Sequence, residues 1–315
     1  MSVLAILSIT LPIYLIIATG YVAVRLHYID DISISGLSRF TVRVSLPALI
    51  FGAIVFSGSN AAINWGIAGG YLFASMVLMT AGYLFMHLAF GEGKGASWIH
   101  GLGMAQANSG FIGYAIASMV FPDTALAVLA WLMIIENTVV IPFAIVAADL
   151  VGNRGSGLSD AIAKAWRSFS RNPLVIAVTL ALVVRFVGIS IPQKVETTIR
   201  MFASAAPVVA LFVVGGMIAQ YSISPYWRRT ATITFGKLIV HPLLVYVVLG
   251  STIGWSDPYV LTAVLFASVS MLTIYPILGA QYGAEQVSAT ALVTATCVSF
   301  FTVSALIWAI QTGLM

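Results

Sequence analysis

Apolar residues run along this chain in stretches of about twenty or more, separated by short polar connections, and inside each stretch they do not alternate with polar ones. Stretches of that length suit helices crossing a hydrocarbon core of roughly 30 Å, and the missing period of two argues against barrel strands. The pattern predicts ten helical spans, near 3–25, 36–56, 64–90, 97–121, 124–148, 173–190, 198–219, 231–252, 258–281 and 286–312. The first run lacks a basic leader region and stays apolar up to Arg25, so it reads as a retained helix.

Composition agrees with an all-α integral membrane protein. Hydrophobic residues make up 60% of the 315 and charged residues only 8%, against roughly 25% charged in soluble domains. The net charge of +4 reflects basic loops rather than an acidic partner, and nothing suggests nucleic-acid binding. Arg25, Lys94, Arg154, Lys164, Arg167, Arg171, Arg228 and Arg229 fall in or beside the first, third, fifth and seventh connections. The second, fourth and eighth connections carry no basic residue. The positive-inside rule then places the odd connections in the cytoplasm and both termini outside it, in a cell inner (plasma) membrane. The sixth connection, with Arg185, Lys194 and Arg200 nearby, runs against this pattern. A single cysteine, Cys297, excludes an intramolecular disulfide.

The two halves of the chain resemble each other. At a shift of about 160 residues Pro12 meets Pro173, Arg25 meets Arg185, Pro47 meets Pro207, and "FPDTA" meets "YGAEQ". Each half has five spans, an odd number, so the second copy must be inverted. The expected division is a first repeat at 1–149, a cytoplasmic linker at 150–172 and a second repeat at 173–315. Within the linker, Ser159 and Asp160 suit the cap of a short surface helix whose face holds Ile162, Trp166 and Phe169.

Two spans contain residues that weaken a helix at membrane depth. "AQANSGFIGYA" places Asn108, Ser109, Gly110 and Gly113 inside the fourth, and Thr273, Pro276 and Gly279 interrupt the ninth. Non-helical backbone survives at that depth only when buried in protein or lining a polar cavity. Paired breaks in inverted repeats mark the substrate site of many secondary transporters, although glycine and proline also serve close helix packing. Half-helix N-termini carry partial positive charge that suits a carboxylate, with Asn108, Thr273, Tyr275 and Gln281 as further polar partners.

Glu136, followed by Asn137, is an acid midway along the fifth span, and His241 precedes Pro242 in the eighth. A buried carboxylate is costly and is protonated, paired or cation-bound. Glu136, Asn137 and His241 are therefore candidates for coupling, with a structural hydrogen bond from a permanently protonated acid as the alternative for Glu136 and a satisfied packing role as the alternative for His241. Arg39 and Arg43 are read as snorkelling from the start of the second span, and His87 and His100 as interfacial. Pro47 and Pro207 are candidate kinks near the site. No motif supports a nucleotide site, a metal site or a hydrolase, so no cofactor and no enzymatic activity are expected.

"LPALIF" at 46–51, "ANSGFIGYA" at 107–115, "AAPVVALFVVGG" at 205–216 and "YPILGAQYG" at 275–283 resemble signature stretches of the auxin efflux carrier family, in the bacterial branch that includes malonate transporters. The resemblance spans the chain. It implies ten helices in two inverted five-helix repeats, crossing of the broken fourth and ninth helices, and transport of small organic carboxylates. It also implies that Asn108, Gly110 and Gly113 bind the carboxylate, with Pro276 marking the second crossing. Many relatives carry Met-Pro-Thr-Ala at the ninth-helix break, where this chain has Met271, Leu272, Thr273 and Ile274.

The expected function is secondary active transport of a small organic anion by alternating access, with a proton or sodium as coupling ion, in a lipid bilayer; a homodimer is compatible with it. Two alternatives are a sodium-coupled organic-anion symporter of the bile-acid type and a membrane sensor that binds without flux.

Overall fold

The computed structural model describes residues 3–56, 64–151, 166–167, 170–221 and 226–315, with side chains from Thr10 onward. Its described residues are helical with no strand. Among them six helices are long and apolar enough to cross a membrane.

The first is preceded by α1, Val3–Arg25. Helix α2 covers Asp31–Phe56 and α3 covers Trp65–Phe90. Helix α4 is Lys94–Ala105, and after an extended step α5 resumes over 109–120. Helix α6 is Ala125–Val151, α7 Pro173–Val187, α8 Gln193–Ala219 and α9 Trp227–Thr252. Helix α10, Pro258–Ser268, is followed by irregular backbone and the short α11, Tyr275–Ala280. Helix α12, Glu285–Gln311, ends the fold.

Local chemistry sets most of these ends. Asp30, Asn64, Asn172 and Asp257 cap α2, α3, α7 and α10 by accepting hydrogen bonds from first-turn amides. Gly91 and Gly188 adopt left-handed φ of 64° and 72° just past α3 and α7. The polar first turns of α2, α8 and α9 extend these helices four or five residues upstream of the starts predicted from hydropathy. Arg39 and Arg43 therefore sit inside α2, both exposed, rather than at its start. Ser159, Asp160, Ile162 and Phe169 lie outside the described residues, while Trp166 is exposed.

Among the described residues, four wide π-turns were not foreseen. Three of them, at Thr41–Ser45, Glu136–Val140 and Gly236–Val240, each end two residues before a proline: Pro47, Pro142 and Pro242. Proline lacks an amide and clashes with the carbonyl four residues back, and the extra residue per turn relieves both faults inside a helix. The fourth, Ser109–Gly113, opens α5 directly after the break.

The helices pack in two groups. In one, α1 lies along α8, and α2 lies on α7 and α8. Glycine makes the α1–α8 approach close: a Cβ on Gly20 would overlap the Phe212 carbonyl oxygen, and one on Gly215 the Ile17 carbonyl oxygen. In the other group α3 packs on α4 and α9, α4 on α6, α9 on α10, and α11 on α12. The first turn of α5 rests on α8, where the two groups meet.

Candidate functional site

The two helix breaks touch. Gln106 ends α4 in extended conformation, and the Asn108 amide donates to the Ser270 carbonyl at 2.8 Å. The Asn108 side-chain amide donates to the Thr273 hydroxyl at 2.9 Å. The Asn108 carbonyl in turn accepts from the amides of Ile112 and Gly113, which closes the start of α5. The Asn108 amide freed by one break and the Ser270 carbonyl freed by the other thus satisfy each other, as burial in a membrane favours.

A cavity of about 630 Å³ opens onto this contact. Asn108, Ser109, Gly110 and Thr273 line its inner end, with Gln106 beside them. Its other end carries Arg167, Arg171 and Asn172. Asn137 also lines the wall, where its carbonyl oxygen accepts from the Asn172 amide at 3.2 Å. The first amides of α5 have no acceptor within their own helix, so the inner end presents hydrogen-bond donors and partial positive charge. Two guanidinium groups lie toward the other end. Donor groups and guanidinium groups in one lining suit a negatively charged partner.

The remaining expected residues fall elsewhere. Gly113 gives room to Phe266, whose ring a Cβ would meet at 2.6 Å. Tyr275 is fully buried, with its hydroxyl at 3.2 Å from His100 Nδ1, and it occupies the space left by Gly103. His100, expected near an interface, has no exposed surface. Pro276 starts α11, and Gln281 is exposed at its end. Neither lines the cavity, and neither do Pro47 in α2 or Pro207 in α8.

Glu136 lies immediately behind the cavity. It is fully buried, and its Oε1 accepts from the Ser109 hydroxyl at 2.8 Å and from the Tyr71 hydroxyl at 3.0 Å. Its Oε2 has no hydrogen bond. The cavity wall and the buried acid therefore share one residue, Ser109. His241 joins a second chain of contacts: its Nε2 is 3.1 Å from the Ser75 hydroxyl, its Nδ1 is 2.8 Å from Lys237 Nζ, and its ring stands edge-on to Tyr71 with centroids 5.5 Å apart.

Lys237 is the residue that sequence reasoning missed. It has no exposed surface, donates to the Ala267 carbonyl at 2.7 Å, and acts electrostatically on Glu136. Its signal was the spacing of Lys237, His241 and Pro242, which places cation and histidine one turn apart on a helix bent by proline. Tyr71 and Ser75, also one turn apart on α3, complete the cluster.

A helical membrane protein with a cavity at the contact of two interrupted helices has the build of a transporter. Comparison with known proteins agrees: the chain matches the family described as membrane transport protein over residues 5–148 and 158–309, and it belongs to that family, which is the auxin efflux carrier family. It is a multi-pass membrane transporter rather than an enzyme. It is 26% identical over 319 residues to the "Putative malonate transporter" of Rhizobium meliloti (strain 1021), covering 97% of this chain and 96% of that protein. It is also 26% identical over 252 residues to the "Uncharacterized transporter YfdV" of Escherichia coli (strain K12), covering 76% of each.

Proposed function

We propose that this protein is a secondary active transporter of small organic anions, malonate-like dicarboxylates or monocarboxylates, working by alternating access. The observation that carries the reading is the cavity between Arg167 and Arg171 at one end and the Asn108–Thr273 contact at the other. A carboxylate enters past the guanidinium groups and docks on the first amides of α5, with Asn108, Ser109, Gly110 and Thr273 around it. Gly110 leaves room for Leu46, whose side chain a Cβ there would meet at 3.2 Å. The resemblance of the relative named as a malonate transporter supports the substrate class.

In this reading α4 with α5, and α10 with α11, each count as one interrupted crossing, which makes ten crossings in two inverted repeats on either side of a linker at 150–172. Lengths support the pairing: α3 and α9 have 26 residues each, and α6 and α12 have 27 each. Contacts support it too. Ser109 bonds Glu136 in one half, and Thr296 bonds Ser270 at the corresponding positions of the other. The group of α1, α2, α7 and α8 is the scaffold, and the other group carries the site across the bilayer against it. Both termini lie outside the cytoplasm, and the cavity then opens inward, on the side of Arg167 and Arg171.

Glu136, one hydroxyl away from the substrate, couples proton movement to transport. The test is uptake of labelled malonate, other dicarboxylates, monocarboxylates and indole-acetate into proteoliposomes under imposed proton gradients. Saturable flux of one carboxylate that follows the proton gradient is expected; binding without flux with every carboxylate would favour a sensor instead.

A further inference from the structure

The cluster around Lys237 holds a cation where an ion-coupled transporter would bind a metal ion. Helix α10 ends at Ser268, and Val269 turns away in extended conformation, so its last carbonyls lack backbone partners within the helix and carry partial negative charge. The Lys237 ammonium meets that end directly at the Ala267 carbonyl. Across the cluster lies the Glu136 carboxylate, held by the hydroxyls of Tyr71 and Ser109, with the Tyr71 ring edge-on to His241, the partner of the same ammonium. Unwound carbonyls and half-helix C-terminal ends of broken helices are what hold the sodium ion in coupled transporters, and a nearby carboxylate adds negative charge to such a site. Here a side chain from the π-turn of α9 supplies the positive charge. With Lys237 donating to Nδ1, His241 keeps its other nitrogen as the donor to Ser75, which orients the ammonium toward α10.

We propose that Lys237 is the resident cation of this protein: its ammonium takes the place of a coupling sodium ion at the broken end of α10, and transport therefore runs without sodium. The proposal rests on the transporter reading above and deepens it. A second cation in the same buried space would face like-charge repulsion in a medium that screens poorly. Lys237 acts as a positioning residue. It balances Glu136 and ties α9 to the crossing without contact with the cavity.

The test compares malonate uptake in sodium and in choline, at fixed pH and membrane potential, for the wild type, Lys237→Arg and Lys237→Ala. Thermal unfolding of the purified full chain is followed in the same two salts at equal ionic strength. The wild type is expected to transport equally in both and to unfold at the same temperature in both. Removing one partner of a buried charge pair should lower uptake by at least about tenfold in Lys237→Ala, whereas Lys237→Arg, which keeps the charge, restores sodium-independent uptake. Sodium-stimulated uptake by the wild type, sodium-dependent stabilisation of the wild type, or normal uptake by Lys237→Ala would each overturn the proposal. A wild type that moves no carboxylate yet unfolds identically in both salts would sink the transport reading while supporting the assignment of the cation. If Lys237→Ala does not fold, the wild-type comparison and the arginine variant still decide.

Discussion

Glu136 shows how one side chain serves packing and chemistry together. Its Oε1 accepts two hydroxyl donors and its Oε2 accepts none, so the carboxyl is only half satisfied in a site without exposed surface. A protonated acid tolerates that, and an ionised one leans on Lys237 for charge balance. Glu136→Gln keeps the size and the acceptor but cannot exchange a proton. It is expected to abolish the response of uptake to an imposed pH gradient while leaving residual downhill flux; a variant with the full pH response would make Glu136 purely structural. Arg167 and Arg171 act differently, because both are exposed at the cavity's far end. Replacing both with glutamine should raise the apparent KM for malonate by about threefold to tenfold at low salt, and by less at high salt, as screened attraction predicts. A KM unchanged at every ionic strength would remove them from the entry path.

At the level of elements, irregularity does the positioning. The π-turns upstream of Pro142 and Pro242 begin at Glu136 and Gly236, so the prolines rotate an acid and a lysine out of ordinary helical register toward the same buried space. The breaks after α4 and α10 were legible because Asn108, Gly110, Gly113 and Pro276 all weaken helices in sequence. The π-turns were not, since their cause lies several residues downstream and a proline alone reads as a kink. Lys237 escaped for a related reason. The hydropathy pattern starts the eighth span at 231, which puts the lysine in its second turn, near the membrane surface. The actual helix begins at Trp227, with a polar turn that apolar runs cannot reveal, and this moves Lys237 toward its middle. Close packing of α1 on α8 gives a prediction of stability: Gly215→Leu drives a side chain into the Ile17 backbone and should cost about 2 kcal/mol or more, read as a fall in the unfolding temperature. An unchanged temperature would mean that α1 is free to shift.

Across the whole molecule, the two groups of helices meet along the cavity, and the first turn of α5 touches α8 on the opposing side. In the proposed mechanism, sliding one group against the other exposes a carboxylate docked at the crossing. The class of protein was readable from apolar runs and from the four signature stretches together. Which polar residues share a site was not, because Tyr71, Ser75, Ser109, Glu136, Lys237 and His241 come from four separate stretches and meet only through tertiary packing. Asn108 is the residue on which the account turns, since it joins both breaks and lines the cavity at once. The most direct test is counterflow of labelled malonate into proteoliposomes loaded with unlabelled malonate, which needs no imposed gradient, for the wild type and Asn108→Ala at matched protein abundance. The account predicts rapid transient accumulation by the wild type and at least about a hundredfold slower exchange by the variant, as expected when a buried donor at the site is lost. Equal counterflow by the two proteins would contradict it.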